Sequence, residues 1–293
     1  MALNGVMVVD KPQGWTSHDV VARCRKLLGE RSIGHLGTLD PMATGVLPLV
    51  IGRMTRLSQF YSGSAKRYEG VIRLGVETDT YDADGEPVGD EHDVQVSLED
   101  VRAVVRGFVG PQRQVPPPFS AKKIKGVPAY KLARRKVEVD LKPVEIEVHE
   151  FEITGLQGNE ASFTCRVSSG TYVRSLAHEL GQKLGCGAHL ASLRRTAVGE
   201  FEIAQAHALE EIESAAGEGR GADLLVHPRR LLPGMPSVTA DEQAIARIRA
   251  GRTVNLPEMS RSKWVKVFAG QTDLICLATR VAGTLFHPKV VLI

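Results

Sequence analysis

The stretch GHLGTLDPMATGVLPLVIG, residues 34 to 52, predicts a loop followed by a compact buried strand. One carboxylate, Asp40, stands directly before Pro41 among several glycines, and His35 is the only other titratable residue in the stretch. A regular helix or strand does not accommodate that proline and those glycines together. Shaping a turn is the commonest role for an aspartate before a proline, so a turn is the alternative to any chemical role for Asp40.

The composition is that of a globular protein. The 293 residues are 43% hydrophobic and 24% charged, which suits one large domain or a large and a small one. No run approaches the roughly 20 apolar residues of a membrane span, and the N-terminus does not resemble a signal peptide. The four cysteines are scattered without a CxxC pair, which argues against a disulfide framework or a zinc site. We therefore expect a cytoplasmic protein with no membrane association and no bound metal.

Charges are segregated along the chain. Residues 75 to 101 contain ten acidic residues and no lysine or arginine, whereas residues 121 to 136 contain seven basic residues and no acid. Segregated basic surfaces are typical of proteins that bind a polyanion, and nucleic acid is the commonest one. A solvated basic helix is the equally plausible alternative for this window alone.

Strand-like and helix-like periodicities alternate along the chain. Strands are predicted at KRYEGVIRLGV, PVEIEVHEFEI and ASFTCRVSSG, the second with a bulge near His149. Amphipathic helices are predicted at TSHDVVARCRKLLG, capped by Ser17, at VSLEDVRAVVRGFVG, capped by Ser97, and at TYVRSLAHELGQKLG. A flexible surface loop is predicted at residues 217 to 223. This order fits an α+β fold better than a wound parallel sheet.

Familiar nucleotide and hydrolase motifs are missing from the sequence. There is no GxGxxG, no GxxxxGK[ST] and no GxSxG, so no cofactor is implied. The candidates that remain are Asp40 in its loop, Tyr68 on a predicted strand and Arg174 at the start of a predicted helix. Each has a structural alternative, as a turn, a core aromatic and a fold-stabilising ion pair respectively.

The stretch at residues 34 to 52 resembles the signature of the tRNA pseudouridine-55 synthase family (TruB). Further blocks resemble the same family in the same order along the chain, over about residues 10 to 196. These blocks are DKPQGWTSHDVV, KRYEGVIRLGVETDTYDADG, PPPFSAKKIKGVPAYKLAR, GTYVRSLAHELG and LGCGAHLASLRRT. The C-terminal segment is similar to the small RNA-binding PUA domain.

The resemblance implies a pseudouridine synthase fold of the α+β class. Its central sheet is expected to be mixed and largely antiparallel, flanked by helices and loops. The implied domains are a catalytic domain over 1–232, with an RNA-gripping arm at about 111–143, and a β-rich PUA-like domain over 235–293. A monomer is expected, with no obligate protein partner or guide RNA.

The resemblance also implies the reaction and its central residues. Uridine 55 in the T loop of tRNA would be flipped out, its N1–C1′ bond cleaved and a C5–C1′ bond formed. Asp40 is implied as the catalytic carboxylate, which attacks C1′ as a nucleophile, removes the 2′ proton or stabilises a cationic sugar; the sequence leaves these three open. Arg174 is implied as the partner that keeps Asp40 ionised, holding it with a planar fork. Tyr68 is implied to stack on the uracil and to assist removal of the C5 proton.

Further residues line the implied substrate site. By resemblance, His35 occupies the place that the flipped base vacates, and Tyr172 and Leu193 form pocket walls. The glycines of the loop are expected to let the backbone approach the nucleotide closely; they are Gly34, Gly37 and Gly45. The arm is expected to grip phosphates of the T arm with seven basic residues. These residues are Lys122, Lys123, Lys125, Lys131, Arg134, Arg135 and Lys136.

Two alternatives to this function stay open from the sequence. One is a tRNA-binding or folding chaperone that acts without catalysis, and the other is a pseudouridine synthase that acts on a different RNA.

Overall fold

The computed structural model describes residues 3–119 and 142–293, together with the backbone of 123–124 and 127–128. Within these ranges a nine-stranded sheet forms the larger part of the molecule, and a five-stranded sheet follows it in the chain. None of the described helices is long and apolar enough to cross a membrane.

The nine-stranded sheet includes nine of the first thirteen strands. These thirteen strands are β1 (Gly5–Lys11), β2 (Ile33–His35), β3 (Thr44–Ile51), β4 (Lys66–Leu74), β5 (Glu77–Thr78), β6 (Pro87–Val88), β7 (Gly110–Gln114), β8 (Lys123–Ile124), β9 (Val127–Pro128), β10 (Val144–Gln157), β11 (Glu160–Val167), β12 (Ala188–Val198) and β13 (Phe201–Glu202). The sheet order is β1-β3-β12-β4-β11-β10-β7, with β2 beside β3 and β13 beside β12. Only the pairing of β12 with β3 is parallel among the described strands of this sheet. The predicted mixed, largely antiparallel sheet is therefore confirmed, and the other four strands form two small hairpins.

The second sheet lies in the C-terminal part of the chain. It comprises β14 (Ser237–Thr239), β15 (Val254–Asn255), β16 (Trp264–Ala269), β17 (Asp273–Ala282) and β18 (Leu285–Val291). The described α-helices are α1 (Ser17–Leu28), α2 (Ser58–Tyr61), α3 (Leu98–Arg106), α4 (Val173–Leu184), α5 (Leu209–Gly217) and α6 (Glu242–Arg249). The fold is thus α+β with a C-terminal β-rich domain, as predicted.

Strand β1 shows why the first strands are continuously apolar. Met7 and Val9 pack in the main core with α1 and α5, while Val6 and Val8 pack on the opposite side. That opposite side is covered by apolar residues of the larger part of the molecule, among them Leu57 and Phe201, and by residues of the C-terminal domain, among them Phe268. A strand buried on both faces has no solvent side to carry polar residues, so its sequence does not alternate.

Of the local predictions, some differ from the structure and others are confirmed. The cap of α1 is Thr16, in a reciprocal capping box with Asp19, because the hydroxyl of Ser17 is engaged by the backbone of Leu39 instead. The loop predicted at 217 to 223 is wrong in part, since α5 ends at Gly217 and a 3₁₀ turn covers Gly221–Leu224. The Ser97 cap and the bulge near His149 are confirmed.

Candidate active site

One cavity of about 260 Å³ brings together residues that are far apart in the sequence. Its lining includes Asp40, Tyr68, Tyr172, Arg174 and Leu193. They come from the loop before β3, from β4, from the start of α4 and from β12. His35 does not line this cavity; it lines an adjacent one.

Asp40 and Arg174 form an ion pair in this pocket. Arg174 Nε lies 2.9 Å from Asp40 Oδ2, and the arginine side chain is 6% exposed whereas that of Asp40 is 36% exposed. Nε is the nitrogen that meets Asp40, because Arg174 Nη1 and Nη2 donate to the carbonyls of Thr80 and Phe119. The predicted fork, in which one guanidinium grips Asp40 at two places, is therefore wrong.

The second acid on Arg174 is Asp82, which no motif in the sequence marked. Its Oδ2 lies 3.2 Å from Arg174 Nη1, and both side chains are buried. Thr80 fixes this carboxylate by donating its hydroxyl to Asp82 Oδ1 over 2.6 Å. Arg174 also donates to the carbonyls of Thr80 and Phe119, so its remaining nitrogens face fixed acceptors. The guanidinium is held rigidly and shared between two carboxylates.

This arrangement leaves the charge of Asp40 incompletely offset. Burial raises the pKa of Asp40 above its ordinary value, the positive charges of Arg174 and Lys11 oppose that rise, and Asp82 adds to it. The Asp40 side chain is 36% exposed and lines the pocket. A substrate that fills the pocket would bring its own reacting atoms against the charge.

The loop that carries Asp40 is fixed from two sides by side chains. Ser17 of α1 accepts a hydrogen bond from the Leu39 amide at 2.8 Å and donates to the Leu39 carbonyl at 3.1 Å. Lys11 at the end of β1 is buried and donates from Nζ to three carbonyls, of Pro12, Trp15 and Pro41. Burial lowers the pKa of Lys11 to about 8, an effect that the negative charge of Asp40 opposes.

Arg195 of β12 fixes the loop from a third side. Its side chain is fully buried and donates from Nη2 to the Gly37 carbonyl at 3.0 Å and from Nη1 to the Thr38 carbonyl at 3.2 Å. Its Nε donates to the Val46 carbonyl at 2.8 Å on the far side of the loop. A single guanidinium therefore joins both ends of the Asp40 loop, and no motif in the sequence distinguished it from its neighbour Arg194.

The glycines of the loop have different roles. A Cβ on Gly45 would lie 2.3 Å from the Arg195 carbonyl oxygen, so this glycine allows β3 and β12 to approach. Gly37 lines the pocket with φ of +125°, a conformation that favours glycine. At Gly34 a Cβ would make only an ordinary contact with Val50. Of the three, only Gly37 fits the predicted approach of backbone to a nucleotide.

Tyr68 lies on β4 with its side chain almost completely buried, and it lines the pocket. Burial raises the pKa of the Tyr68 hydroxyl, although the charge of Arg195 and a hydrogen bond from it act in the opposite direction. The hydroxyl therefore stays protonated near neutral pH, and assistance by Tyr68 in removal of the C5 proton stays a prediction. The flat face of the ring remains suited to stacking on a base.

Tyr172 and Leu193 are placed as pocket walls. Tyr172 precedes α4, and the buried amide of Gln114 holds its backbone in both directions: the Tyr172 amide donates to Oε1 at 2.8 Å, and Nε2 donates to the Tyr172 carbonyl at 3.1 Å. Leu193 is buried on β12. The hydrogen bonds from Gln114 fix the backbone at the start of α4, and Arg174 follows Tyr172 by two residues.

The basic cluster of the predicted arm cannot be compared with the structure. All seven of its lysines and arginines fall within 120–141, so their side chains lie outside the described residues. In the described ranges, no three His, Cys, Asp or Glu side chains are grouped closely enough to hold a metal ion.

Comparisons with known proteins identify the family of the chain. Residues 25–173 match the family model described as TruB family pseudouridylate synthase (N terminal domain), and residues 174–232 match the model described as tRNA pseudouridylate synthase B C-terminal domain. The chain is 49% identical to tRNA pseudouridine synthase B of Solibacter usitatus, over 99% of this chain and 100% of that protein. It is 50% identical to the protein of the same name from Opitutus terrae, over 72% of this chain and 88% of that protein.

A solved structure shares the fold. A chain of the crystal structure of a Cbf5-Nop10-Gar1 complex superposes with a TM-score of 0.72 at 25% identity, covering 99% of this chain and 85% of that chain. The fold and the family matches define an enzyme of the pseudouridine synthase class. The chain belongs to the TruB family of pseudouridylate synthases.

Proposed function

We propose that this enzyme isomerises uridine 55 in the T loop of tRNA to pseudouridine, with Asp40 as the catalytic carboxylate. The proposal is supported by relatives named tRNA pseudouridine synthase B, which match over most of the chain. The observation that carries it is the ion pair of Asp40 with the buried Arg174 in a pocket that also holds the ring of Tyr68.

The reaction balances without a co-reactant. The N1–C1′ bond of the uridine breaks, the base turns within the pocket, a C5–C1′ bond forms, N1 gains a proton and C5 loses one. Asp40 would face the ribose and supply the negative charge that attack on C1′, removal of the 2′ proton or stabilisation of a cationic sugar each requires. Tyr68 would stack on the base, while Tyr172 and Leu193 limit its movement.

The target must leave its stack to reach this pocket, at a cost of roughly a few kcal/mol. His35 lies at the rim, in the adjacent cavity, from which it would fill the space that the base vacates. We propose that the seven basic residues of the arm bind phosphates of the T arm and that the C-terminal domain, over 235–293, is a PUA-like module that adds further RNA contacts.

We propose that the enzyme works as a monomer in the cytoplasm, without a guide RNA or protein partner. The absence of a guide RNA from this proposal is supported by the match over 99% of the chain to a relative named tRNA pseudouridine synthase B. The solved structure that shares the fold is titled as a complex with Nop10 and Gar1, and those partners are assigned to that protein alone.

The test is tritium release from an unmodified tRNA transcript that carries 5-tritiated uridine. Isomerisation makes the C5 tritium exchangeable, so wild-type enzyme should release it, and a transcript with cytidine at position 55 should release none. Release that persists from the cytidine transcript would assign the enzyme to another uridine. Tight tRNA binding without any release would favour the chaperone alternative.

A further inference from the structure

A second cavity, of about 370 Å³, adjoins the candidate active site. Gly37, Lys66 and Ser169 line both cavities and thus form the boundary between them. The rest of the second cavity comes from His35, from Leu36 and from residues 58–62 around α2. A nucleic-acid strand that extends from the active-site pocket into the second cavity therefore passes Lys66, whether it extends in the 5′ or the 3′ direction.

Lys66 carries a charge that its surroundings do not offset. It starts β4, and its Nζ donates to the Ser64 carbonyl at 3.0 Å. Among the described residues no carboxylate forms an ion pair with it, and the charge that acts on it is a second cation, Arg195. Burial and then Arg195 lower the pKa of Lys66 to about 8. Lys66 is half-buried, and a partly desolvated cation beside another cation is destabilised unless an anion binds there.

Lys11 shows what a purely structural lysine looks like in the same region. Burial lowers the pKa of both lysines to about 8, yet Lys11 uses its ammonium donors on three carbonyls and faces Asp40. Lys66 has one such bond among the described residues, and an ammonium offers three donors. Its remaining donors are available to the two cavities that it separates.

His35 offers a second donor to the same cavity. The Gly37 amide donates to His35 Nδ1 over 3.3 Å, which places the proton of the neutral ring on Nε2. Burial, with the charge of Arg195, lowers the pKa of His35, so the ring is neutral near pH 7. The second cavity is therefore lined by a neutral N–H donor and a lysine ammonium, a combination that suits a phosphodiester oxygen.

We propose that Lys66 binds the backbone phosphodiester that joins the target uridine to its neighbouring nucleotide, at the boundary between the two cavities. The phosphate supplies the negative charge that no described carboxylate gives to Lys66. It also fixes the register of the RNA, so that one nucleotide enters each cavity. Lys66 is thus a substrate-binding residue, distinct from the arm. This inference rests on the proposed function, because it takes the first cavity as the site of the target nucleotide.

The experiment uses a T-arm hairpin in which one phosphate is replaced by a neutral methylphosphonate, either 5′ or 3′ of the target uridine or at a remote stem position. Dissociation constants and single-turnover pseudouridine formation are measured for wild type, Lys66→Met and Lys66→Arg. Lys66→Met keeps the packing length of the side chain, and Lys26→Met on the exposed end of α1 is the matched control.

We expect Lys66→Met to weaken binding of the native hairpin about 10- to 100-fold, as for loss of one hydrogen bond to a charged group. Lys66→Arg should keep most of the affinity. One of the two flanking methylphosphonates should weaken binding to wild type by a similar factor but cause no further loss in Lys66→Met. The remote replacement should affect both proteins equally.

Equal losses in wild type and Lys66→Met at both flanking positions would overturn the inference, as would a wild type that is indifferent to both. The wild-type measurements stand alone if Lys66→Met does not fold. Failure of the proposed function is seen separately, as absence of pseudouridine from the native hairpin with wild-type enzyme.

Discussion

The Asp40 loop and the junction with the C-terminal domain are stabilised by the same kind of contact and differ in one respect. In both, a buried cation donates to backbone carbonyls: Arg195 to those of Gly37 and Thr38, and Lys266 to those of Arg229 and Leu231, over 2.9 and 2.6 Å. The loop also presents an acid, Asp40, to a pocket, whereas the described residues of the junction present none to a pocket. We infer that the first arrangement positions chemistry and the second positions a domain.

The largest expected effect tests the chemical half of this comparison. Asp40→Asn keeps the side-chain shape but removes the charge that the proposed reaction needs, so tritium release should fall below detection while tRNA binding stays near wild type. The exposed Asp93→Asn is the matched control. A normal rate of pseudouridine formation by Asp40→Asn would show that Asp40 only shapes a turn, a role that asparagine fills equally well. The loop, like the junction, would then have a structural role alone.

A second prediction concerns the shared guanidinium. Arg174→Lys keeps a positive charge, but an ammonium does not reproduce the planar arrangement that reaches Asp40, Asp82 and two carbonyls. We expect a loss of about 100-fold in single-turnover rate, since misplacement of a catalytic group by about 1 Å costs that much. Binding of tRNA should be close to unchanged. A rate within a few-fold of wild type would show that charge alone is sufficient.

The junction should show the opposite pattern. Lys266→Met leaves one buried and one partly buried carbonyl without their donor, so the free energy of unfolding should fall by about 1–3 kcal/mol. Denaturant titration measures this, with the exposed Lys263→Met as control. Isomerisation of an isolated T-arm hairpin should stay within about twofold of wild type at a temperature where both proteins are folded. A large rate loss under those conditions would couple the junction to the chemistry.

The smallest effect is the pH dependence of stability. Because the pKa of Asp40 is raised above 3.8, the folded protein binds more protons than the unfolded chain between 3.8 and the raised value. Over that window wild type should lose stability relative to Asp40→Asn as the pH rises, and the difference should vanish below it. Activity should fall as the pH drops through the same raised pKa. A wild type that is more stable than Asp40→Asn at neutral pH would contradict this sign.

The sequence predicted the individual strands and helices better than the tertiary contacts between them. Periodicity located β4, β11 and α4 because each buries one face, and the resemblance located Asp40 and Arg174. Asp82 was one of ten acids in its window, and nothing local marked it as the second partner of Arg174. Likewise, the hydroxyl of Ser17 is a good cap by local rules, but it bonds to Leu39, 22 residues away. Such roles arise from tertiary contacts, which periodicity does not report.

The burial of β1 and β3 from both sides has a consequence for the order of folding. The outer faces of Val6, Val8, Val46 and Val50 belong to one cluster with Val290 and Leu292. Met54, Leu57 and Tyr61 supply part of the cover soon after these strands are made, but Val290 and Leu292 are made only with β18 and the residues after it. The nascent chain therefore carries a partly uncovered apolar sheet face until the C-terminal domain is made, a state prone to aggregation.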